Sequence, residues 1–239
     1  MILVVAGTGT GVGKTAVTAA VAALHPGRAA ALKPAQTGAV PGEAGDADEV
    51  ARLAPGTAVC ELARYPDPLA PATAARRAGR AGVRAAEAAR AARALARENP
   101  LVLVEGAGGP LVRLHENGDT LADLAAELAA PVLLVTRAGL GTLNDTAAAA
   151  EALAARGLAC VGTVIGSWPA RPGLAARCNL ADLPETSGLP LLGALPGGAA
   201  RLCPRAFADT AAASLTPRLG GRCGAPPPPR PRVTCGVCC

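Results

Sequence analysis

The sequence predicts an α/β protein, a single domain with a mostly parallel sheet covered by helices on both faces. Three observations predict it. Short β-rich apolar runs alternate with alanine-rich helical stretches along the chain. Each run is apolar nearly throughout, as expected of a strand buried on both faces. Glycine-rich and polar segments follow the runs directly, and so fall at the carboxyl ends of parallel strands, where open sheets bind ligands. A chain of 239 residues, 51% of them hydrophobic, can bury a sizeable core without needing a second domain.

Taken in order, the first strand, Ile2–Ala6, runs into GTGTGVGKT at Gly7 to Thr15, and a helix is expected over Lys14–Leu24. A second strand, Ala29–Leu32, is followed by KPAQTG and a helix over Ala47–Leu53. A helix over Val83–Glu98 precedes the third strand, Leu101–Glu105, which closes on EGAGGP, and Leu121–Leu128 is helical. The fourth strand, Pro131–Thr136, leads through RAGLGTLND into a helix at Leu143–Arg156. A fifth, Cys160–Ile165, leads through GSWP to a helix at Gly173–Leu183, and a sixth, Pro190–Leu195, ends in PGG. A last helix is expected to end near Ala211 to Leu219. From Gly220 the chain reads GRCGAPPPPRPRVTCGVCC, whose proline run imposes extended backbone. Residues 220–239 are therefore expected to be a disordered tail on a domain of residues 1–219. The Cys235 and Cys238 pair has no second pair or histidine nearby to complete a tetrahedral metal site.

Composition excludes several function classes. Aromatic residues are 1% of the chain, so Val, Leu, Ile and Ala must build the core. The net charge of +5 owes much to Arg76, Arg77, Arg80, Arg84, Arg90, Arg93 and Arg97 on an alanine-rich stretch; without interleaved aromatics they read as a solvated face, not a nucleic-acid track. Met1 runs straight into an apolar strand with no basic leader and no 18-residue apolar span, so a cytoplasmic protein that does not enter a membrane is expected. Cys60, Cys160, Cys178 and Cys203 are scattered and read as reduced thiols.

The chemistry starts at the first glycine loop. Its glycines let backbone N–H groups converge on phosphate oxygens, the helix amino end adds a favourable dipole, and a lysine neutralises the outer phosphates. Gly11, Val12, Gly13, Lys14 and Thr15 supply these parts. The usual GxxxxGK[ST] pattern asks for glycine where Thr8 stands, so this phosphate loop begins at Gly7 and is one residue longer. Thr15 can give a hydroxyl to magnesium, which wants further oxygen ligands. Glu105, at the end of the third strand, and Asp46, in DADEV, are the carboxylates in place, although a helix-capping role competes for Asp46 and Asp48 could replace it. Lys33 follows the second strand. A surface lysine is the ordinary reading there, and a second cation for a highly charged intermediate is the functional one. His25 and His115 lack partner patterns, and no Ser-His-Asp or Cys-His set is evident.

Together GTGTGVGKT, KPAQTG, the aspartate upstream of VARL, VEGAGG, LGTLN and VIGSWP resemble the dethiobiotin synthetase family, over about Ile2 to Leu219. The resemblance implies a P-loop NTPase fold and an ATP-dependent ring closure. In it 7,8-diaminononanoate takes up carbon dioxide (from bicarbonate) as a carbamate, the carbamate attacks the γ-phosphate, and the second amine closes the ureido ring. It further implies that Lys14 and Lys33 stabilise the phosphate and carbamate charges, that Thr15, Asp46 rather than Asp48, and Glu105 hold magnesium, and that Thr10 and Thr37 contact the diamine. Ala16 and Gly106, Ala107 and Gly108 would join the loop around the nucleotide. A homodimer is implied too, with Leu143 and Asn144 reaching the partner's diamine. One departure stands out: Gly166, followed by Ser167, takes the place of an asparagine that reads adenine in many members. Base contacts would then come from backbone near Gly166, Ser167, Leu195, Pro196 and Gly197, and CTP or another triphosphate could replace ATP.

Two rivals share the fold. A partition or septum-positioning switch ATPase usually carries a second loop lysine five residues before Lys14, where this chain has Gly9. A glutaminase-coupled amidase such as a cobyrinate amidase needs a further domain for which 239 residues leave little room.

Overall fold

The computed structural model describes residues 1–224. Most of the expected tail, including its proline run and the Cys235 and Cys238 pair, lies outside the described residues. The strands are β1 (Ile2–Gly7), β2 (Ala29–Thr37), β3 (Ala58–Tyr65), β4 (Leu101–Glu105), β5 (Val132–Thr136), β6 (Cys160–Trp168) and β7 (Leu191–Pro196). They form one sheet in the order β3-β2-β4-β1-β5-β6-β7, with every pairing parallel. The helices are α1 (Lys14–Leu24), α2 (Asp46–Leu53), α3 (Pro71–Arg77), α4 (Ala85–Leu95), α5 (Leu121–Leu128), α6 (Thr142–Ala154), α7 (Leu174–Ser187) and α8 (Pro204–Ser214).

One apolar cluster joins α1, α2 and α8 to one sheet face through Val17, Val50, Leu53 and Phe207. A second joins α3 to α6 to the other face through Ala74, Ala88, Leu124 and Leu153. Burial on both sides accounts for the uniformly apolar β1, β4 and β5.

Two elements were not expected from the sequence. Strand β3, AVCELARY, is an edge strand with a largely half-exposed pattern, so its Glu61 and Arg64 hide it from a search for apolar runs. Helix α3 has only seven residues and starts on a proline, in a segment that also holds Pro66 and Pro68. The break between α3 and α4 divides the arginine series, yet all seven arginines are exposed.

Strand β2 also runs further than expected. Pairing with β4 stops at Leu32, while pairing with β3 continues to Thr37 opposite Tyr65. From Lys33 onward the strand is held on one side only, and its other side opens toward the P-loop. At the far end, α8 stops at Ser214, and the chain stays packed beyond Leu219: Gly221 N–H donates to Thr216 O at 3.1 Å and Cys223 N–H to Leu215 O at 2.9 Å. Residues assigned to the tail by composition, Gly220 to Cys223, thus carry bonds to the body.

Candidate active site

The strand order puts β2, β4 and β1 side by side, and three sequence-distant segments meet at their carboxyl ends. The P-loop leaves β1 and enters α1 through Gly13, whose φ of 97° only glycine adopts without strain. Lys14 is buried, and its ammonium donates to Gly9 O at 2.9 Å. Burial, then the Lys33 charge, push the Lys14 pKa down against the opposing pull of Glu105 and Asp46.

Lys33, 4% exposed, is no surface lysine. Its ammonium lies 2.5 Å from Asp46 Oδ2 and 3.0 Å from Glu105 Oε1 and donates to Gly106 O at 3.1 Å. Burial opposes its charge, but Glu105 and Asp46 outweigh that penalty and raise its pKa. Asp46 is the mirror case: burial favours its neutral acid, and Lys33 overcomes this to hold its pKa below the usual carboxylate range. Thr15 Oγ1 donates to Glu105 Oε1 at 2.9 Å. One hydroxyl and two carboxylates therefore converge beside the P-loop, an all-oxygen donor set of the kind magnesium accepts along with phosphate oxygens and water.

The choice between Asp46 and Asp48 follows from the start of α2. Asp48 Oδ2 accepts from Gly45 N–H at 2.7 Å and pairs with Arg64, so Asp48 closes the helix end while Asp46 faces the cleft. Sequence reading missed Gln36, which is buried; its Oε1 accepts from Asp46 N–H at 2.9 Å and fixes where the Asp46 carboxylate can reach.

These groups line a cleft of about 660 Å³ together with Thr10, Gly11, Gly13, Thr37, Ala107 and Gly108. Its far wall, Pro68, Leu69, Ala70, Pro71 and Val112, is apolar and carried no motif. The remaining expected residues do not line this cleft. Val12 is buried and Ala16 half-buried in α1. Gly166 is buried with its backbone against Val12 and Gly13. Ser167 is exposed beside Gly197, whose N–H donates to Trp168 O at 2.6 Å. Leu195 and Pro196 are buried on β7, so only their backbone is left for a ligand. Leu143 and Asn144 lie in the first turn of α6, half-buried and exposed respectively. Neither His25 nor His115 lines the cleft.

A family model described as an AAA domain matches residues 2–199. The ATP-dependent dethiobiotin synthetase BioD of Saccharopolyspora erythraea is 65% identical over 92% of this chain and 98% of its own length. That of Streptomyces coelicolor is 64% identical over 92% of this chain and 94% of its own. The chain belongs to the dethiobiotin synthetase family. Among solved structures, a ParA family ATPase from Chlorobium tepidum covers 84% of this chain, and this chain 87% of it, with a TM-score of 0.55 at 13% identity. The cell division ATPase MinD of Pyrococcus furiosus covers 82%, with 82% of its own chain matched, at a TM-score of 0.50 and 20% identity. At those identities the likeness shows the fold alone. This dethiobiotin synthetase family member shares that fold, and the carbonyl of its Gly9 accepts from the Lys14 ammonium. Among the described residues no helix is long and apolar enough to cross a membrane.

Proposed function

We propose that this protein is an ATP-dependent cyclo-ligase that builds dethiobiotin from 7,8-diaminononanoate and carbon dioxide. It works in the cytoplasm as a magnesium-dependent homodimer. The observation that carries this reading is the convergence of Lys14, Lys33, Thr15, Asp46 and Glu105 on one cleft, with Lys33 buried against both carboxylates. A switch ATPase has no evident use for a second buried lysine on the neighbouring strand.

In the reaction, one amine of the diamine adds to carbon dioxide and loses a proton, giving a carbamate. A carbamate oxygen attacks the γ-phosphorus and ADP leaves. The second amine attacks the carbamoyl carbon, phosphate leaves, and the ureido ring closes. No covalent enzyme intermediate is needed, so the protein contributes positioning and charge neutralisation. Backbone N–H groups from Gly11 to Thr15, with Ala16 behind them, hold the triphosphate, and Lys14 neutralises its outer charge. Lys33 neutralises the carbamate and the mixed anhydride. Ala107 and Gly108 complete the nucleotide wall, with Gly106 behind them holding Lys33 through its carbonyl, and Thr10 and Thr37 hold the diamine amines. Thr15, Asp46 and Glu105 would hold magnesium, which would shield phosphate charge when bound. The N–H groups of Leu143 and Asn144 in the first turn of α6 have no intrahelical acceptor and suit the carboxylate of the partner subunit's diamine. Base contacts fall to backbone near Gly166, Ser167, Leu195, Pro196 and Gly197, so base choice is relaxed.

The test is phosphate release measured with and without diamine and bicarbonate. Release that needs both supports the reading, and release without the diamine supports a switch ATPase. Lys33→Ala should lower diamine-dependent turnover by about 100-fold or more, on the order of removing a preorganised charge contact. Comparing ATP, CTP, GTP and UTP tests base choice: an ATP preference of about 100-fold, roughly 2.7 kcal/mol, would refute relaxed selection.

A further inference from the structure

Four threonine hydroxyls join the nucleotide loop to the amino end of α6. Thr136, the last residue of β5, lies 2.6 Å from Thr142 Oγ1, 2.8 Å from Thr146 Oγ1 and 3.4 Å from Thr8 Oγ1. Thr136, Thr142 and Thr146 are fully buried. Thr8 is the residue at which the extended loop departs from the usual glycine, and its N–H also donates to Val135 O at 2.8 Å.

Counting protons fixes the direction of every bond. A hydroxyl has one proton to give and two lone pairs. Thr142 gives its proton to Arg137 O at 2.7 Å, so Thr136 must donate to Thr142. With that proton spent, Thr136 can only accept from Thr146 and from Thr8, and its two lone pairs are then filled. The chain runs Thr8 to Thr136 to Thr142 to the Arg137 carbonyl with no proton left over. Asn179 fastens the same turn from α7, donating to Ala138 O at 2.8 Å and to Gly139 O at 3.2 Å. Moving Thr136 would leave the buried Thr146 hydroxyl without its acceptor, which is costly in an interior of low dielectric. The β5 end and the first turn of α6 are thereby held together, and the loop joins them through the Thr8 N–H bond to Val135 O at 2.8 Å and the longer 3.4 Å contact of the Thr8 hydroxyl with Thr136.

We infer that Thr136 is a positioning residue that ties the P-loop to the amino end of α6, so that nucleotide at the loop of one subunit and the partner subunit's diamine at α6 strengthen each other's binding. This rests on the reading that those two ligands occupy those two places. By linkage the strengthening is reciprocal and can be read from either ligand.

The experiment is calorimetric titration of the full chain with 7,8-diaminononanoate in bicarbonate buffer, with and without saturating β,γ-methylene ATP and magnesium. In the unaltered protein the analogue should tighten diamine binding by about fivefold or more, the lower end of ordinary coupling between sites. Thr136→Val should cut that factor to under about twofold, and Thr136→Ser, which restores the hydroxyl, should bring it back above about threefold. A hydroxyl with a merely structural role would lower the melting temperature of Thr136→Val and leave the coupling factor intact, and that result overturns the inference. So does an absence of coupling in the unaltered protein. Should Thr136→Val not fold, Thr8→Val at the half-buried end of the chain is held to the same thresholds. If diamine or nucleotide fails to bind the unaltered protein at all, the functional reading itself fails and the linkage falls with it.

Discussion

The Lys33 ammonium meets the Glu105 carboxylate at 3.0 Å inside the sheet edge, where both side chains are almost wholly sealed from solvent. Removing one partner of a buried ion pair leaves an uncompensated charge and costs about 3–5 kcal/mol. Lys33→Met is therefore expected to destabilise the metal-free protein by about that much, while Lys33→Met combined with Glu105→Gln recovers most of the loss. Magnesium should also restore part of the stability of Lys33→Met, because it can neutralise Asp46 and Glu105 in place of the ammonium. Urea denaturation in EDTA and in magnesium measures both. A Lys33→Met protein as stable as its parent would contradict the burial of the pair.

The pH dependence of the metal-free protein follows from the same cluster. Asp46 titrates below 3.8 in the fold, so its contribution is present above 3.8 and lost as acid carries the pH down through the lowered value. Lys33 titrates above 10.5, so its contribution is complete below 10.5 and lost only as the pH rises through the raised value. Lys14 runs the other way. Its pKa is below 10.5, so the cost of keeping it charged is relieved as the pH climbs toward 10.5. Stability should fall in acid, with Asp46→Asn flattening that fall, and Lys14 should not add to any loss on the alkaline side. Denaturant midpoints from about pH 3 to about pH 11 read this directly.

Gly166 is held by contact as much as by chemistry. A Cβ there would sit 2.1 Å from Val12 O, and one on Gly13 would sit 2.6 Å from Gly166 O. Gly166→Asn is expected to push the P-loop off β6 and weaken ATP binding by about 1–3 kcal/mol, the usual cost of overpacking. Equilibrium binding of ATP decides it, and a variant that bound ATP more tightly would show that the loop can yield.

The C-terminal boundary is open to truncation. Arg222 N–H donates to Ala212 O at 2.6 Å, and a Cβ on Gly221 would lie 1.8 Å from Leu215 O. A chain ended at Leu219 should melt below one ended at Gly224 by about 2–8 °C, as expected for the loss of roughly 1–2 kcal/mol of packing and hydrogen bonds in a domain of this size. Equal melting temperatures would make Gly220 to Cys223 dispensable.

The sheet's central strands were legible because burial on both faces writes itself as an unbroken apolar run; Leu101–Glu105 has the same bounds in sequence and structure. Helices α1 and α5 likewise match their expected ranges, each being an alanine- and leucine-bearing stretch between turn signals. The polar edge strand β3 and the proline-bounded α3 were not legible, since each takes its order from the neighbour it packs on and not from its own pattern.

By itself the sequence determined that a phosphate loop follows β1, that charged and glycine-rich segments follow the other strands, and that their combination resembles one enzyme family. Local chemistry is enough for that, because turns, helix starts and loop glycines are specified within a few residues. Only the tertiary structure decided that Lys33 is buried between Asp46 and Glu105, that Asp48 caps a helix while Asp46 faces the cleft, and that Thr8 is tied to α6 through Thr136. The longest of those relationships join residues 72 positions apart, Lys33 and Glu105, and 128 apart, Thr8 and Thr136. They exist because the parallel strand order brings β2, β4, β1 and β5 next to one another, a long-range pairing that no short stretch of the chain encodes.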